Sequence, residues 1–240
     1  MVVNGSDDET YQLAEAARSS FEAADWRFQA LDLVAGGKVG ALNHGDKVAA
    51  FEARIYLDAD VVLSPQLLAE LADLLDQEQP VYCSGTAVIT AERSLFSKAY
   101  ARFYACMPFV SVGVPGFGLF GVNAAGRKRW DLFPEIISDD TFVRLHFTPR
   151  ERHLAAARYE WPVVEGFRAL VRVRRRQDQG VVEIQKTYPH LLANDDKRPR
   201  RVWATLRAGL RHPIGFVVYF MVAIAVRLGR HSTGEWSRGR

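Results

Sequence analysis

The chain has 240 residues, of which 48% are hydrophobic and 25% are charged, and this composition excludes a disordered or collagen-like protein. A chain of this length can bury a hydrophobic core without disulfides or bound metals to stabilise it. Its two cysteines, Cys83 and Cys106, cannot form a disulfide framework. The net charge of +3 is unevenly distributed. Residues 197–240 hold ten Lys and Arg against one acid, which gives +9 and leaves −6 on the other 196 residues.

Strand-like and helix-like segments alternate along the body of the chain, which indicates an α/β fold. The predicted elements are a strand at Val2 and Val3, a helix over Glu9–Ala24, a strand over Arg27–Val34, a helix over Lys38–Ala50, a strand over Arg54–Leu57, a helix over Leu67–Leu75 and a strand over Val81–Gly85. Ser64 and Pro65 are predicted to cap the helix that follows them. The polar stretch 194–196 marks a predicted boundary between a domain over 1–193 and a C-terminal segment over 194–240.

Three groups of acids follow apolar, strand-like segments, where open α/β sheets bind their ligands. The first is Asp7-Asp8, the second is Asp58 with Asp60, and the third is Asp139-Asp140. The alternation of an extended chain points Asp58 and Asp60 to the same side. There they can hold one Mg²⁺ or Mn²⁺ ion, whose remaining ligands are waters and substrate phosphates.

Each acidic group also has a simpler explanation. Turns rich in Asp are common before helices, because acids cap the first turn and interact favourably with the helix dipole. A cap needs only one acid of the pair Asp139-Asp140, so the other is a candidate general base facing a cleft.

Two further segments have competing interpretations. Gly116, Gly118 and Gly121 match the dinucleotide pattern GxGxxG, but that pattern belongs in the first strand-to-helix turn, and these glycines lie in the middle of the chain. We therefore predict a flexible loop over a substrate cleft. The cationic run 172–176 is either a solvated or lipid-facing basic surface, or a source of arginines that neutralise a pyrophosphate.

The C-terminal segment combines apolar and basic residues. Pro213–Val226 is a charge-free run of fourteen residues, short of the roughly 20 that a membrane span needs. The stretch before it places Val202, Trp203, Leu206 and Leu210 on one helical face with arginines around it. This pattern predicts an interfacial segment over 199–228 that is attracted to anionic lipid. The alternative is a terminal core helix with a solvated basic tail, and nucleic-acid binding is not expected.

In order and spacing, these groups resemble the glycosyltransferases of family 2 over about residues 1–185. The matching segments are NGSDDET at 4–10, GKVGALNHG at 37–45, LDAD at 57–60, FGVNAAGR at 120–127 and SDD at 138–140. The resemblance implies the GT-A fold, a three-layer α/β sandwich with a mostly parallel central sheet, here followed by a basic and hydrophobic helical appendage. It also implies a nucleotide-diphospho-sugar donor.

The resemblance assigns a role to each site residue. It implies that Asp8 contacts the base of the donor, that Lys38 and Asn43 lie along the nucleotide, and that Asp58 and Asp60 bind the ribose and the diphosphate bridged by Mg²⁺ or Mn²⁺.

On the acceptor side, the resemblance makes Asp140 the catalytic base. It places Asp139 and Gly118 at the acceptor site and Arg176 near the diphosphate of the donor.

Two departures from the family pattern affect the prediction. The family's first strand and its PxxNE-like loop are missing, which predicts an upstream start, a fragment or a reduced donor site. The QxxRW motif of processive synthases aligns with 173–177 and keeps only Arg176. This departure disfavours a long-chain polymerase and favours single-sugar addition.

Two functions remain open from the sequence. The first is inverting transfer of one sugar to a hydroxyl of a lipid-linked or saccharide acceptor, at the cytoplasmic side of the cell membrane. The alternative is a non-catalytic, membrane-associated degenerate transferase that acts as a binding module, because a fold does not guarantee an activity.

Overall fold

The computed structural model describes residues 1–111, 113–196 and 202–229. These residues form two compact units. The first combines 1–51 with 130–136, and the second takes the rest of the described residues.

The first unit contains a small two-stranded sheet. Its elements are β1 (Val2–Asn4), α1 (Thr10–Ala16), α2 (Arg18–Ala23), β2 (Leu31–Leu33) and α3 (Lys38–Val48). β1 and β2 are parallel, and Val3, Ala14 and Ala30 form the buried core of this unit. The prediction of one helix over Glu9–Ala24 is wrong. The helix is divided at Ala17, whose N–H bonds to the carbonyl of Ala14 in the tighter pattern of a 3₁₀ turn.

The second unit contains the larger sheet and most of the helices. Its strands are β3 (Arg54–Leu57), β4 (Val62–Leu63), β5 (Tyr82–Thr90), β6 (Leu119–Val122) and β7 (Arg152–Pro162). Its helices are α4 (Leu67–Leu75), α5 (Leu95–Tyr104), α6 (Pro108–Ser111), α7 (Ala124–Arg127), α8 (Asp139–Leu145), α9 (Phe167–Thr187), α10 (Val202–Arg211) and α11 (Pro213–Leu228).

The five strands of the second unit are arranged in the order β3-β6-β5-β7-β4. β5 and β7 are parallel, whereas the other three neighbouring pairs are antiparallel. The α/β class is confirmed, but the sheet is mixed rather than mostly parallel as expected. The difference arises because β6 runs opposite to both of its neighbours and β4 runs opposite to β7.

The two faces of this sheet are covered by different parts of the chain. Tyr82 and Cys83 follow one another in β5 and therefore point to opposite faces. Cys83 packs with Leu67 and Leu71 of α4, while Tyr82 packs against the rings of Phe120 and Phe147. The predicted helix α4 is confirmed. The predicted cap is wrong, because the helix begins after Gln66 without a side-chain cap.

A second core joins α5, α9 and α11. Tyr100, Phe103 and Tyr104 of α5 are buried against Val218 and Tyr219 of α11. Close approach of the two helices requires Gly215, since a Cβ there would collide with the carbonyl oxygen of Ala99. The C-terminal helices therefore pack onto the second unit, and the predicted boundary between 1–193 and 194–240 stays a prediction.

The predicted interfacial segment over 199–228 falls within the described residues only from 202 onward, and the side chain of Val202 lies outside them. Arg200, Arg201 and the basic residues after 229 are also outside. No helix in the described ranges is both long and apolar enough to cross a membrane.

Candidate active site

Asp58 and Asp60 lie in the turn that follows β3, as the sequence predicts. β3 pairs with β6 up to Leu57 and Leu119, and the N–H of Asp58 donates to the carbonyl of Gly118 at 2.8 Å. The N–H of Val61 donates to the carbonyl of Asp58 at 3.2 Å, which closes the turn. Both carboxylates are half-buried, so they are accessible to a ligand while the turn holds their backbone.

The glycine-rich turn before β6 lies against this acidic turn. Gly116 and Gly118 have φ angles of 70° and 66°, which favour glycine. A Cβ on Gly118 would lie 3.3 Å from the Oδ2 atom of Asp58, and a Cβ on Gly116 would collide with the hydroxyl of Tyr82. The turn runs into a strand and not into a helix, so it is not a dinucleotide-binding turn.

An aromatic pair adjoins the same turn. Trp161, at the end of β7, stacks on Phe117 with ring centroids 4.8 Å apart. Its Cδ1 atom lies 3.2 Å from the Cβ position of Gly118, so the pair lies beside Asp58. Sequence analysis missed Trp161, although an aromatic residue at the end of a strand is a signal that could have found it.

The pair Asp139-Asp140 begins α8. Ser138 is the N-cap residue, but its side chain forms no capping hydrogen bond. Asp139 is only 4% exposed, while Asp140 is half-buried and accepts a hydrogen bond from the N–H of Thr141 at 2.6 Å. Of the two acids, Asp140 is therefore the more accessible to a substrate.

Helix α9 supports the start of α8. The carboxylate of Glu183 accepts a hydrogen bond from the N–H of Ile137 at 2.9 Å. Gly180 lies against Ser138 so closely that a Cβ would collide with the Ser138 hydroxyl. Arg176 lies four residues before Gly180 and so occupies the same face of α9, one turn away.

The neighbouring arginines of α9 have structural contacts. The guanidinium of Arg174 lies 5.8 Å from the ring centroid of Tyr219 and pairs with Asp178 at 3.2 Å. Arg175 donates to the carbonyl of Ala225 in α11 at 2.7 Å. Of these three arginines, Arg176 is the one on the face that meets α8.

Tyr159 links the two acidic turns electrostatically. Burial raises the pKa of its hydroxyl, Ser84 lowers it, and the carboxylates of Asp140 and Asp58 raise it. The two carboxylates therefore act on one buried hydroxyl. Both acidic turns belong to the second unit, although Asp58 and Asp140 are 82 positions apart in the chain.

An ionic clamp with two buried arginines holds the other end of α8. Arg144 binds Asp195 at 3.0 Å and Asp196 at 2.6 Å, and Arg152 binds Asp196 at 2.6 Å. Burial alone would raise the pKa of Asp196, but the two guanidinium groups outweigh it and hold that pKa below its ordinary value. Sequence analysis missed this clamp and treated 194–196 only as a boundary.

In the first unit, the predicted donor-binding turns meet at one edge of the β1–β2 sheet. The two turns follow parallel strands. Gly5 lies close to Gly36, since a Cβ on Gly5 would be only 2.8 Å from the Cα atom of Gly36. Asp8 is exposed, and its Oδ1 atom accepts from the N–H of Thr10 at 3.0 Å. Lys38 is half-buried at the start of α3.

The side chain of Asn43 forms two hydrogen bonds within the same unit. Its side-chain amide donates to the carbonyl of Phe133 at 3.0 Å, and its side-chain oxygen accepts from the N–H of Phe133 at 2.8 Å. Its amide therefore holds the 130–136 segment. This contact was not expected from the sequence, since the two residues are 90 positions apart.

The acids at the end of β3 suit a divalent cation by their chemistry. Among the described residues, no group of three or more His, Cys, Asp or Glu side chains could hold a metal ion. Asp58 and Asp60 offer two carboxylates, and Mg²⁺ is commonly bound by one or two carboxylates together with substrate phosphates and waters. These residues therefore fit such an ion once a diphosphate supplies the remaining oxygens.

Comparison with known proteins identifies the family of the chain. No curated protein matches it. The family model described as Glycosyl transferase family 2 matches residues 1–133, more than half of the chain. The match includes Asp8, Asp58 and Gly118 but ends before Asp140 and Arg176. The chain therefore belongs to glycosyl transferase family 2, with the GT-A α/β fold and a domain for sugar transfer from a nucleotide-sugar donor to an acceptor.

Proposed function

We propose that this protein is an inverting glycosyltransferase that adds a single sugar to an acceptor hydroxyl, with Asp140 as the catalytic base. The observation that carries the proposal is the half-buried carboxylate of Asp140 in the first turn of α8, in the same unit as the acidic turn of Asp58 and Asp60. A donor-binding acid and a candidate base in the same region are what direct displacement requires, since the acceptor and the leaving group must approach the same anomeric carbon.

In the proposed reaction, Asp140 accepts the proton of the acceptor hydroxyl as that oxygen attacks the anomeric carbon. A new carbon–oxygen bond forms while the bond to the diphosphate breaks, and the nucleoside diphosphate leaves with the bonding electrons. The configuration at the anomeric carbon is inverted because the attack comes from the face opposite the leaving group. Burial of Asp139 leaves Asp140 as the better candidate for general base catalysis.

In this proposal, a metal ion and Arg176 both offset negative charge on the leaving nucleoside diphosphate. Asp58 and Asp60 would hold Mg²⁺ or Mn²⁺, which would neutralise part of the diphosphate charge. Arg176 supplies a cation from α9, on the helical face that contacts the start of α8. Arginine suits this role because its planar guanidinium binds phosphate oxygens in pairs.

Single-sugar addition is supported by the altered QxxRW segment, in which only Arg176 remains. We also propose that the acceptor is presented at the cytoplasmic side of the cell membrane. That part of the proposal depends on the exposed apolar and basic residues of α10 and α11.

A nucleotide-sugar panel tests the proposed function. Each candidate donor is added with Mn²⁺ in a thermal-shift assay, because a true donor stabilises the folded protein by mass action. The donor that binds is then used in a transfer reaction, and NMR of the product gives the anomeric configuration. The proposal predicts one stabilising donor and an inverted product. A retained configuration would contradict inversion, and the lack of stabilisation by any nucleotide-sugar would favour the non-catalytic alternative.

A further inference from the structure

Helices α10 and α11 carry a row of exposed apolar side chains. On α10 the row consists of Trp203, Leu206 and Leu210. On α11 it consists of Ile214, Val217, Met221, Ile224 and Leu228. Successive members are three or four residues apart, so they occupy one face of each helix. We call these eight residues the apolar row.

The opposite face of α11 packs against the protein core. Val218, Tyr219 and Val222 are buried against α5 and α9, and Gly215 contacts the backbone of Ala99. The apolar row therefore points away from the core. An apolar surface of this extent marks an interaction site, because isolated exposed apolar residues would not repeat at helical spacing.

The charged residues within α10 and α11 are all arginines. Arg207, Arg211 and Arg227 are exposed, and the sequence 202–229 contains no Asp or Glu. Arginines can extend their alkyl chains along apolar surface while their guanidinium groups reach phosphate-bearing headgroups. A partner that is apolar inside and negatively charged at its surface matches this pattern, and an anionic lipid monolayer has that chemistry.

The dimensions of the helices favour the plane of the membrane over a crossing. α11 has 16 residues and so is about 24 Å long, less than the roughly 30 Å of a hydrocarbon core. An amphipathic helix with one apolar face and flanking basic residues lies parallel to the surface, with the apolar side in the acyl boundary.

We propose that α10 and α11 dock this protein on an anionic lipid monolayer through the apolar row, and that the acceptor is carried on a lipid in that monolayer. The second clause rests on the proposed function and names its acceptor class. The docking surface is itself independent of catalysis, since none of its residues is in the candidate active site.

Helix α9 connects the docking surface with the candidate base. Arg175 of α9 donates to the carbonyl of Ala225 in α11, and Arg174 lies over the ring of Tyr219. Farther along the same helix, Gly180 and Glu183 hold the segment that precedes Asp140. Docking therefore fixes the site relative to the membrane surface, where a lipid-linked hydroxyl is confined.

Vesicle flotation tests the docking surface. The full chain is mixed with vesicles of phosphatidylcholine and phosphatidylglycerol, or with phosphatidylcholine alone. The wild type is expected to float with the anionic vesicles. Leu210→Glu, at a position 86% exposed, should reduce binding by about tenfold or more, since it puts a charge into the apolar row. Leu13→Glu is the matched control, because Leu13 is 68% exposed on the first unit and outside the row.

Arginine variants separate the electrostatic part of the interaction. Arg207→Gln and Arg211→Gln should each weaken binding to anionic vesicles about fivefold, with little effect on vesicles of phosphatidylcholine alone. Equal flotation of wild type and Leu210→Glu would overturn the proposal. So would a dimer, seen by ultracentrifugation without vesicles, that Leu210→Glu dissociates, because the row would then bind a second copy of the chain.

A transfer assay separates failure of this proposal from failure of the proposed function. The same saccharide acceptor is supplied free in solution or attached to a lipid in anionic vesicles. Leu210→Glu should lose transfer to the vesicle-bound acceptor and keep transfer to the soluble one. Equal loss with both acceptors would contradict the docking role. A wild type that floats but transfers to neither acceptor would contradict the proposed function and leave docking supported.

Discussion

Gly180 of α9 lies directly against Ser138, the N-cap residue of α8, and any side chain at position 180 would collide with the Ser138 hydroxyl. Because Asp140 is in the first turn of α8, this contact sets the distance between the candidate base and α9. The position of the base thus depends on the lack of a side chain 40 residues later in the sequence.

Gly180→Ala should disturb both stability and transfer. The added methyl group overpacks the contact, and we expect a loss of about 1–3 kcal/mol in the free energy of unfolding, together with reduced turnover. The measurements are denaturant unfolding and a transfer assay. Ser138→Ala in the same chain removes the colliding hydroxyl and should restore part of both quantities. An unchanged turnover in Gly180→Ala would show that the contact does not position Asp140.

Arg176 and Arg174 should respond differently to replacement by Gln. Arg176→Gln is expected to lower kcat by about a hundredfold, because it removes a cation that stabilises charge on the leaving group. Arg174→Gln is expected to lower the melting temperature instead, since Arg174 lies over Tyr219 and pairs with Asp178. Steady-state kinetics and thermal unfolding of both variants distinguish the roles. A destabilised Arg176→Gln with normal kcat would contradict the assignment.

Donor binding should depend on a divalent cation through Asp58 and Asp60. A nucleoside diphosphate at about one hundred times its Kd should stabilise the wild type by about 2.7 kcal/mol in the presence of Mn²⁺. EDTA should remove most of this gain. Asp58→Asn should lose the part that requires Mn²⁺, whereas Asp73→Asn, on the exposed side of α4, should keep it. Stabilisation of equal size in EDTA would show that no metal ion is used for binding.

The clamp of Arg144, Arg152 and Asp196 should make stability depend on pH. The pKa of Asp196 is lowered in the folded protein from its ordinary 3.8. Its contribution is therefore fully present above that ordinary value and is lost as the pH falls through the folded pKa. Asp196→Asn should cost about 2 kcal/mol at neutral pH, because it leaves two buried guanidinium groups short of a partner.

Measurements of stability at several pH values serve as the control for Asp196→Asn. The difference in unfolding free energy between wild type and Asp196→Asn should shrink as the pH falls below about 4, because the unfolded wild type then binds a proton at Asp196, and should vanish once the pH passes the lowered pKa of the folded protein. Chemical unfolding at several pH values measures this difference. A difference that stays constant down to pH 2 would show that the charge of Asp196 does not stabilise the fold.

Local patterns in the sequence predicted the parts of this protein that depend on neighbouring residues. The alternation of Ile55-Tyr56-Leu57 predicted β3 and the acidic turn after it, and the leucine spacing predicted α4. A position at the start of a helix was the simpler interpretation of Asp139-Asp140, and the pair does begin α8.

Features that depend on distant residues could not be predicted in this way. β6 pairs antiparallel with both β3 and β5, which are distant from it in the sequence. The clamp joins Arg144 to Asp196 across 52 positions, and Asn43 holds Phe133 across 90. Neither pair has a local signal, because each residue alone is typical of a solvated helix or loop.

Asp140 is proposed to take the proton of the acceptor hydroxyl, and replacing its carboxylate by an amide tests this role. Asp140→Asn keeps the size of the side chain but removes its basicity, while Asp73→Asn is the matched control. With the donor found by the thermal-shift panel, sugar transfer and donor binding are measured on the same preparations. The account predicts that Asp140→Asn binds the donor with nearly unchanged affinity and loses transfer by at least about a hundredfold. Transfer at the wild-type rate in Asp140→Asn would contradict it.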